Sequence, residues 1–322
     1  MKRIGVFTSG GDSPGMNAAV RAVVRTALHE DVEVYGIYNG YQGLIENKIK
    51  PLDSYSVSNI IQRGGTILKS ARSEQFMFEE GRKIAFNNLK LNELDGLVAI
   101  GGDGTFTGAK VFGKEYGVPI IGIAGTIDND LYGTDFTLGY DTAINTVVEV
   151  VDKIRDTAGS HNRLFVVEVM GRDAGIIALR SAVGVGAEAV LVPETETYID
   201  ELINRLETGR RANKTSGIII VAEGDQSGGA YNVAEAIKQQ FDFYEIRVSV
   251  IGHMQRGGSP TAMDRVLGSK LGYEAVHGLL NGRNGEMVGV IDNKIVYTAF
   301  EKAIKQHQGL DESLLELVNV LS

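Results

Sequence analysis

The stretch Ile123-Ala-Gly-Thr-Ile-Asp-Asn-Asp-Leu-Tyr-Gly133 places Thr126, Asp128 and Asp130 at alternate positions directly behind the apolar run Val118 to Ile123. A carboxylate held there can take the proton of an attacking hydroxyl group. The same residue types also build an ordinary turn with a helix cap, and the cluster alone does not separate the two readings. In an extended segment alternate side chains share one face, so the spacing predicts that Thr126, Asp128 and Asp130 project together.

Two glycine-rich stretches surround this segment in the chain, Gly10-Gly-Asp-Ser-Pro-Gly15 and Gly101-Gly-Asp-Gly-Thr105. Each follows a strand-like run and precedes a helical one, where unpaired N–H groups and the helix dipole attract anions. Either loop alone also reads as a tight turn that needs positive φ. The pair, with Asp103 as an oxygen ligand for Mg2+, favours nucleotide phosphate. Neither is a Walker A loop, and Gly102-x-Gly104-x-x-x-Gly108 misses the dinucleotide fingerprint. Arginines recur beside small residues in Ser70-Ala-Arg72-Ser73, Met170-Gly-Arg172-Asp173 and Gly252-His-Met-Gln-Arg256-Gly-Gly. Planar guanidinium forks suit oxyanions. A chain of net charge −9 needs such local clusters, because its overall field repels anions.

These loops must be held by alternating strands and helices. Strand-like runs cover Ile4 to Thr8, Val32 to Tyr38, Gly96 to Ile100 and Val118 to Ile123, with helical periodicity over Asn17 to Glu30 and Gly108 to Tyr116. Runs apolar on both faces imply parallel strands covered by helices, an α/β fold. A second series follows: a helix from Thr142 to Thr157, then Arg163 to Val169, Ala174 to Val183, Ala189 to Val192, Ile199 to Arg211 and Gly217 to Ala222. With 322 residues, two domains are expected, divided near residue 138.

Composition excludes several classes. The 41 glycines are nearly twice the usual ~7% and cluster in loops rather than in a fibrous repeat. An acidic chain without a broad basic surface is not a nucleic-acid binder. There is no cysteine, hence no disulfide or thiolate metal site, which fits a reducing compartment. Met1-Lys-Arg-Ile-Gly-Val6 has no signal-peptide layout, and no apolar stretch approaches the length of a membrane span. A cytoplasmic protein with no membrane partner is expected.

Taken in order, Gly10-Gly-Asp-Ser-Pro-Gly-Met-Asn17, Gly101-Gly-Asp-Gly104, Gly125-Thr-Ile-Asp-Asn-Asp130, Met170-Gly-Arg172, Val221-Ala-Glu-Gly224 and Gly252-His-Met-Gln-Arg-Gly-Gly-Ser-Pro260 resemble the bacterial-type ATP-dependent 6-phosphofructokinases. The motifs span most of the chain. The Gly-Gly-Asp-Gly-Thr element alone is also similar to NAD kinases and lipid kinases, and a catalytically silent sugar-phosphate sensor is a further alternative; the ordered set is far more specific. The resemblance implies two Rossmann-like three-layer α/β/α domains with mostly parallel sheets and an active site in the cleft between them. It implies an MgATP-binding domain over 1–138 plus 251–305 and a fructose 6-phosphate-binding domain over 139–250 plus 306–322. It also implies a homotetramer.

By position, the resemblance implies that Gly11, Arg72, Ser73, Phe76, Gly102, Asp103, Gly104, Thr105 and Gly108 surround ATP, with Asp103 towards Mg2+. Thr126, Ile127, Asp128, Met170, Gly171, Arg172, Glu223, His253, Met254, Gln255 and Arg256 would hold fructose 6-phosphate, and Arg163 and Arg247 would serve a neighbouring subunit. Asp128 would be the general base, with Thr126, Arg72, Arg172 and Gly11 at the transferring phosphoryl group. Glycine at 104 and 125 resembles the ATP-using rather than the pyrophosphate-using relatives. Arg21, Arg25, Arg155, Gly186, Ala187, Glu188 and Lys214 match a regulatory site for ADP and phosphoenolpyruvate. Ser54, Ala212 and Thr215 stand there in place of basic residues, so a blunted allosteric response is expected. Ser73 and Ala124 depart from the bulkier residue and the proline common in relatives, and alanine fixes φ less than proline does.

Overall fold

The computed structural model describes residues 1–159, 162–211, 214–306 and 309–322. In chain order the elements are β1 (Arg3–Thr8), α1 (Met16–His29), β2 (Glu33–Ile37), α2 (Gly40–Ile45), β3 (Ile49–Leu52), α3 (Glu79–Leu91), β4 (Gly96–Gly101), α4 (Asp103–Tyr116) and β5 (Ile120–Ala124). There follow α5 (Tyr140–Ala158), β6 (Arg163–Val169), α6 (Ile176–Val185), β7 (Ala189–Leu191), α7 (Ile199–Arg211), β8 (Gly217–Ala222), α8 (Ala230–Gln240) and β9 (Glu245–Val250). The last are α9 (Ala262–Leu280), β10 (Glu286–Ile291), β11 (Lys294–Ala299), α10 (Phe300–Lys305) and α11 (Glu312–Leu321).

Two compact units result, one of Met1–Thr142 with Arg256–Gln308, the other of Ala143–Gln255 with Gly309–Ser322. The first contains a seven-stranded sheet in the order β11-β10-β5-β4-β1-β2-β3. Its centre is parallel, and β3 and β11 run antiparallel at the edges. The second unit contains the parallel four-stranded sheet β7-β8-β6-β9. The α/β class expected from the sequence is what is found.

Strand periodicity divides the first core into two faces. Ile4, Val6, Val98, Ile100, Ile121 and Ile123 pack under α1 and α9. Phe7, Leu97, Ala99, Ile120 and Ala124 face the opposite layer, with Phe106 and Phe112 of α4. Burial on both faces explains why β4 and β5 are apolar throughout. Helices α1 and α9 touch through glycines: a Cβ on Gly268 would lie 2.9 Å from the Gly15 carbonyl, and one on Gly272 would lie 2.6 Å from the Ala19 carbonyl. That close approach seats the loop preceding α1.

Two local expectations change. Helix α4 starts at Asp103, not near Gly108, so the Gly101–Thr105 stretch is itself the helix N-terminus. The segment after β5 is bent at Ile127 and Asp128, with Asn129 at φ +53°, rather than extended.

Candidate active site

Three loops leave the carboxyl ends of adjacent parallel strands. Register pairs Thr8 of β1 with Ile100 of β4, and Gly101 of β4 with Ala124 of β5. Ser9 N–H donates to the Ile100 carbonyl at 3.0 Å, and Gly125 N–H to the Gly101 carbonyl at 2.9 Å. The chain leaves β1 towards β2 on one side and leaves β4 towards β5 on the other. The loops after β1 and β4 therefore diverge at a topological switch point, where open parallel sheets bind ligands.

Helices α1 and α4 begin without a capping side chain, preceded by Gly15 at φ +101° and by Gly102 respectively. Thr105 and Phe106 N–H groups turn back to the Gly102 carbonyl at 2.9 and 3.1 Å. The bare helix start can receive an anion. A Cβ on Gly104 would meet nothing within 4 Å, whereas one on Gly102 would touch the Thr126 Cβ at 3.6 Å. Gly104 thus borders open space, and Gly102 borders the carboxylate loop.

Beside these loops lies a cavity of about 400 Å³ lined by Gly10, Gly11, Asp12, Thr66, Lys69, Ser70, Ala71 and Arg72. Lys69, at φ +60°, was not marked by any motif; a non-glycine residue in this conformation is uncommon and frequent at functional sites. Other residues assigned to the nucleotide have supporting positions. The Phe76 ring is buried, stacked on Tyr41 at 4.0 Å between centroids. Gly108 makes room for Tyr41, whose ring would lie 2.9 Å from a Cβ. Tyr41 donates its hydroxyl to the Thr105 carbonyl at 2.5 Å, and burial pushes its phenol far above the ordinary range. Ser73 donates to Gln42 Oε1 at 2.7 Å and accepts from Phe76 N–H at 3.3 Å.

The carboxylate loop is a closed turn. Thr126 Oγ1 donates to Asp128 Oδ2 at 3.2 Å and accepts the Asp128 N–H at 3.2 Å. The Thr137 hydroxyl donates to the Thr126 carbonyl at 2.6 Å, Thr137 N–H donates to Asn129 Oδ1 at 2.8 Å, and Leu138 N–H returns to the Ala124 carbonyl at 2.9 Å. Thr126 and Asp128 do share a site, but through the bend at Ile127 and Asp128 and their mutual hydrogen bonds instead of strand alternation. Asp128 is 2% exposed and Ile127 fully buried.

In the same unit Arg256 lies against the β1 loop, where a Cβ on Gly11 would be 2.7 Å from Arg256 Nη1. Among the described residues no group of three His, Asp or Glu side chains could cage a metal ion. Asp103, in the first turn of α4, suits a cation that phosphate oxygens and water also coordinate, as for Mg2+.

The second unit builds its own cluster at strand ends. Val169 of β6 pairs with Ala222 of β8, so Met170-Gly-Arg172 and Glu223 emerge side by side. Glu223 Oε1 accepts the N–H groups of Gly171 at 3.3 Å and Arg172 at 2.8 Å. Arg172 is left-handed at φ +53°. Gln255, fully buried, accepts the Met170 N–H at 2.8 Å, while His253 and Met254 are exposed. Arg163 and Arg247 both pair with Glu245 on β9, the first at 2.7 Å.

Arg25, Arg155 and Lys214, among the proposed regulatory residues, already have local partners. Arg25 donates to the Ser54 carbonyl at 3.1 Å, Arg155 to the carbonyls of Val185 and Gly186, and Lys214 pairs with Glu188 at 2.9 Å. Gly186 ends α6 at φ +58°, and Ala187 is buried. Arg21 lies on α1, and Ala212 lies outside the described residues.

Residues 3–279 match the family model described as phosphofructokinase. "ATP-dependent 6-phosphofructokinase 2" of Bacteroides thetaiotaomicron is 52% identical over 100% of this chain and 99% of its own. The Cytophaga hutchinsonii protein named ATP-dependent 6-phosphofructokinase is 54% identical over 100% of this chain and 98% of its own. The solved phosphofructokinase of Saccharomyces cerevisiae superposes with a TM-score of 0.90 at 37% identity, over 95% of this chain and 45% of that one. A pyrophosphate-dependent phosphofructokinase from Marinobacter aquaeolei, 20% identical, shares the fold with a TM-score of 0.84 over 99% of this chain and 91% of that one.

Proposed function

The chain belongs to the phosphofructokinase family, and we propose that it is a glycolytic kinase in which Asp128 takes the proton from the attacking hydroxyl. It transfers the γ-phosphoryl group of ATP to the 1-hydroxyl of fructose 6-phosphate, giving fructose 1,6-bisphosphate and ADP. The observation that supports these roles is the Thr126–Asp128 turn, seated one strand away from the uncapped start of α4.

An alcohol attacking a phosphoryl group must lose its proton, and a buried carboxylate held by Thr126 is placed to accept it. The N–H groups of Gly11 and of residues 102–104 hold phosphate oxygens. Arg72 and Arg172 neutralise the charge that spreads over the transferring group. Thr126 orients the carboxylate and contacts the moving oxygens. Asp103 would hold Mg2+, which when bound with the nucleotide supplies charge neutralisation at the β- and γ-phosphates.

The fructose 6-phosphate phosphate is read by Arg256 and His253, and the sugar by Met170, Gly171 and Arg172, with Glu223 and Gln255 fixing that backbone. The larger unit takes MgATP and the smaller one most of the sugar phosphate. Arg163 and Arg247 act at the site of a neighbouring subunit in a homotetramer. The cysteine-free sequence fits the reducing cytoplasm, where we place the enzyme; no helix among the described residues is long and apolar enough to cross a membrane.

Gly104 supports ATP as the donor, since the space beside it is open. The test is a coupled ADP-release assay with fructose 6-phosphate. ADP formation that depends on both substrates, with no turnover when pyrophosphate replaces ATP, is expected; pyrophosphate-only turnover would overturn the donor assignment. Of the regulatory cations, Arg25 and Arg155 are engaged by carbonyls and Lys214 by Glu188, which supports weak binding of ADP and phosphoenolpyruvate.

A further inference from the structure

The loop that carries Asp128 is tied back into the fold by a carboxylate far away in sequence. Asp264, in the first turn of α9, is 1% exposed. It accepts the Gly139 N–H at 2.8 Å, the Thr142 N–H at 2.9 Å and the Thr142 hydroxyl at 2.5 Å. Residue 139, which precedes α5, is a glycine and has no side chain to satisfy the helix's first N–H groups. Asp264 caps α5 in its place. The cap is reciprocal: Thr261 N–H donates to Thr142 Oγ1 at 3.0 Å, and the Thr261 hydroxyl donates to Asp141 Oδ2 at 2.6 Å.

Segments that build the site converge here. A Cβ on Gly139 would lie 2.6 Å from the Ser13 Cβ and 3.1 Å from Ile127 Cγ2, so the returning limb of the Asp128 loop rests on the Gly10–Gly15 loop. A Cβ on Gly15 would lie 3.3 Å from the Asp264 carbonyl, which leaves Asp264 under both loops. Burial pushes the Asp264 carboxyl up, while its bonds from Thr142 and Gly139 pull it down. An apolar residue would avoid that desolvation but would leave two buried N–H groups unsatisfied.

We propose that Asp264 is a positioning residue for phosphoryl transfer, fixing the Thr126–Asp128 turn through Gly139 and Thr142 against the phosphate-side loop; this rests on the role of Asp128 proposed above. Buried as it is, it acts through the two loops rather than on a substrate. A displacement of about 1 Å at the reacting groups costs on the order of 10²-fold in rate.

Asp264→Asn in the full chain tests it, because the amide keeps the volume but turns a donor towards an N–H group. Assayed with ATP and fructose 6-phosphate where circular dichroism shows the native fold, kcat should fall roughly 10- to 100-fold. The KM for ATP should stay within about threefold. A kcat within about twofold of wild type, or a loss confined to KM, overturns the proposal. If Asp264→Asn does not fold, Thr142→Val decides: it removes the hydroxyl that donates to Asp264 and accepts from the Thr261 N–H, and keeps both N–H bonds to Asp264. A several-fold loss of kcat restored by Thr142→Ser supports the positioning role, and wild-type kcat in Thr142→Val refutes it. A wild-type chain inactive on fructose 6-phosphate would sink the proposed function and this inference with it; an active wild type with a fully active Asp264→Asn sinks the inference alone.

Discussion

The guanidinium of Arg256 occupies the space where Gly11 would carry a side chain: a Cβ there would lie 2.7 Å from Nη1, and Arg256 also donates to the Asp12 carbonyl at 3.4 Å. Gly11 therefore serves the arginine as well as the β1 loop. Its φ lies outside the positive range, and the obstructing atom is the end of a flexible side chain, so Gly11→Ala should fold with stability within about 0.5 kcal/mol of wild type. The displaced Arg256 should lower kcat/KM for fructose 6-phosphate by roughly 10- to 100-fold, the worth of a hydrogen bond to a charged group. Unchanged kinetics in a stable variant would separate Arg256 from the substrate.

Gly104 offers the converse case, since nothing lies within 4 Å of its missing Cβ. An aspartate in the first turn of α4 complements the helix dipole by about 0.3–1 kcal/mol, so Gly104→Asp should melt no lower than wild type. Its carboxylate would face the nucleotide phosphates, and kcat/KM for ATP should fall on the order of 10- to 100-fold through like-charge repulsion. Wild-type ATP kinetics would remove Gly104 from the nucleotide site.

Tyr41 gives a dependence on alkaline pH. Its buried phenol titrates far above the ordinary value of about 10 that it has when unfolded. A group raised by folding contributes stability that is fully present below its unfolded pKa and is lost as pH rises towards the folded value. Above about pH 10 the wild type should lose up to about 1.4 kcal/mol per pH unit through this group. Tyr41→Phe should be about 1 kcal/mol less stable at pH 8, having lost the bond to Thr105, yet decline less steeply. Tyr297, pushed up to about 12 by burial and then by Glu274, titrates in both proteins. Urea midpoints at pH 8 and pH 11 measure the difference, and equal losses in the two proteins would contradict it.

The occupied cations at the regulatory positions, with Ser54 and Thr215 beside them in sequence reading, predict a near-hyperbolic saturation curve for fructose 6-phosphate that ADP changes little. Initial rates across substrate concentrations, with and without ADP, check this. A strongly sigmoidal curve abolished by ADP would show that these residues bind the effector well.

The strands were legible because those buried on both faces read as continuous apolar runs: Arg163–Val169 and Gly217–Ala222 lie where periodicity puts them. The start of α4 was less so, because Asp103, Gly104 and Thr105 carry turn chemistry while forming a helical first turn. The Thr126–Asp128 pairing was anticipated for the wrong reason, since alternation in a strand has no means of foretelling the bend at Ile127 and Asp128. The burial of Phe76 was not legible either, because its ring stacks on Tyr41, a residue distant in sequence. Asp264 escaped notice entirely: its partners lie 122 and 125 residues away, beyond any local pattern.

The most direct test of the chemistry is the steady-state kcat of Asp128→Ser in the coupled assay with saturating ATP and fructose 6-phosphate. If Asp128 removes the hydroxyl proton, kcat falls by roughly 10² to 10⁴ while both substrates still bind with KM values near those of wild type. A folded Asp128→Ser enzyme that turns over at close to the wild-type rate would show that the proton goes elsewhere.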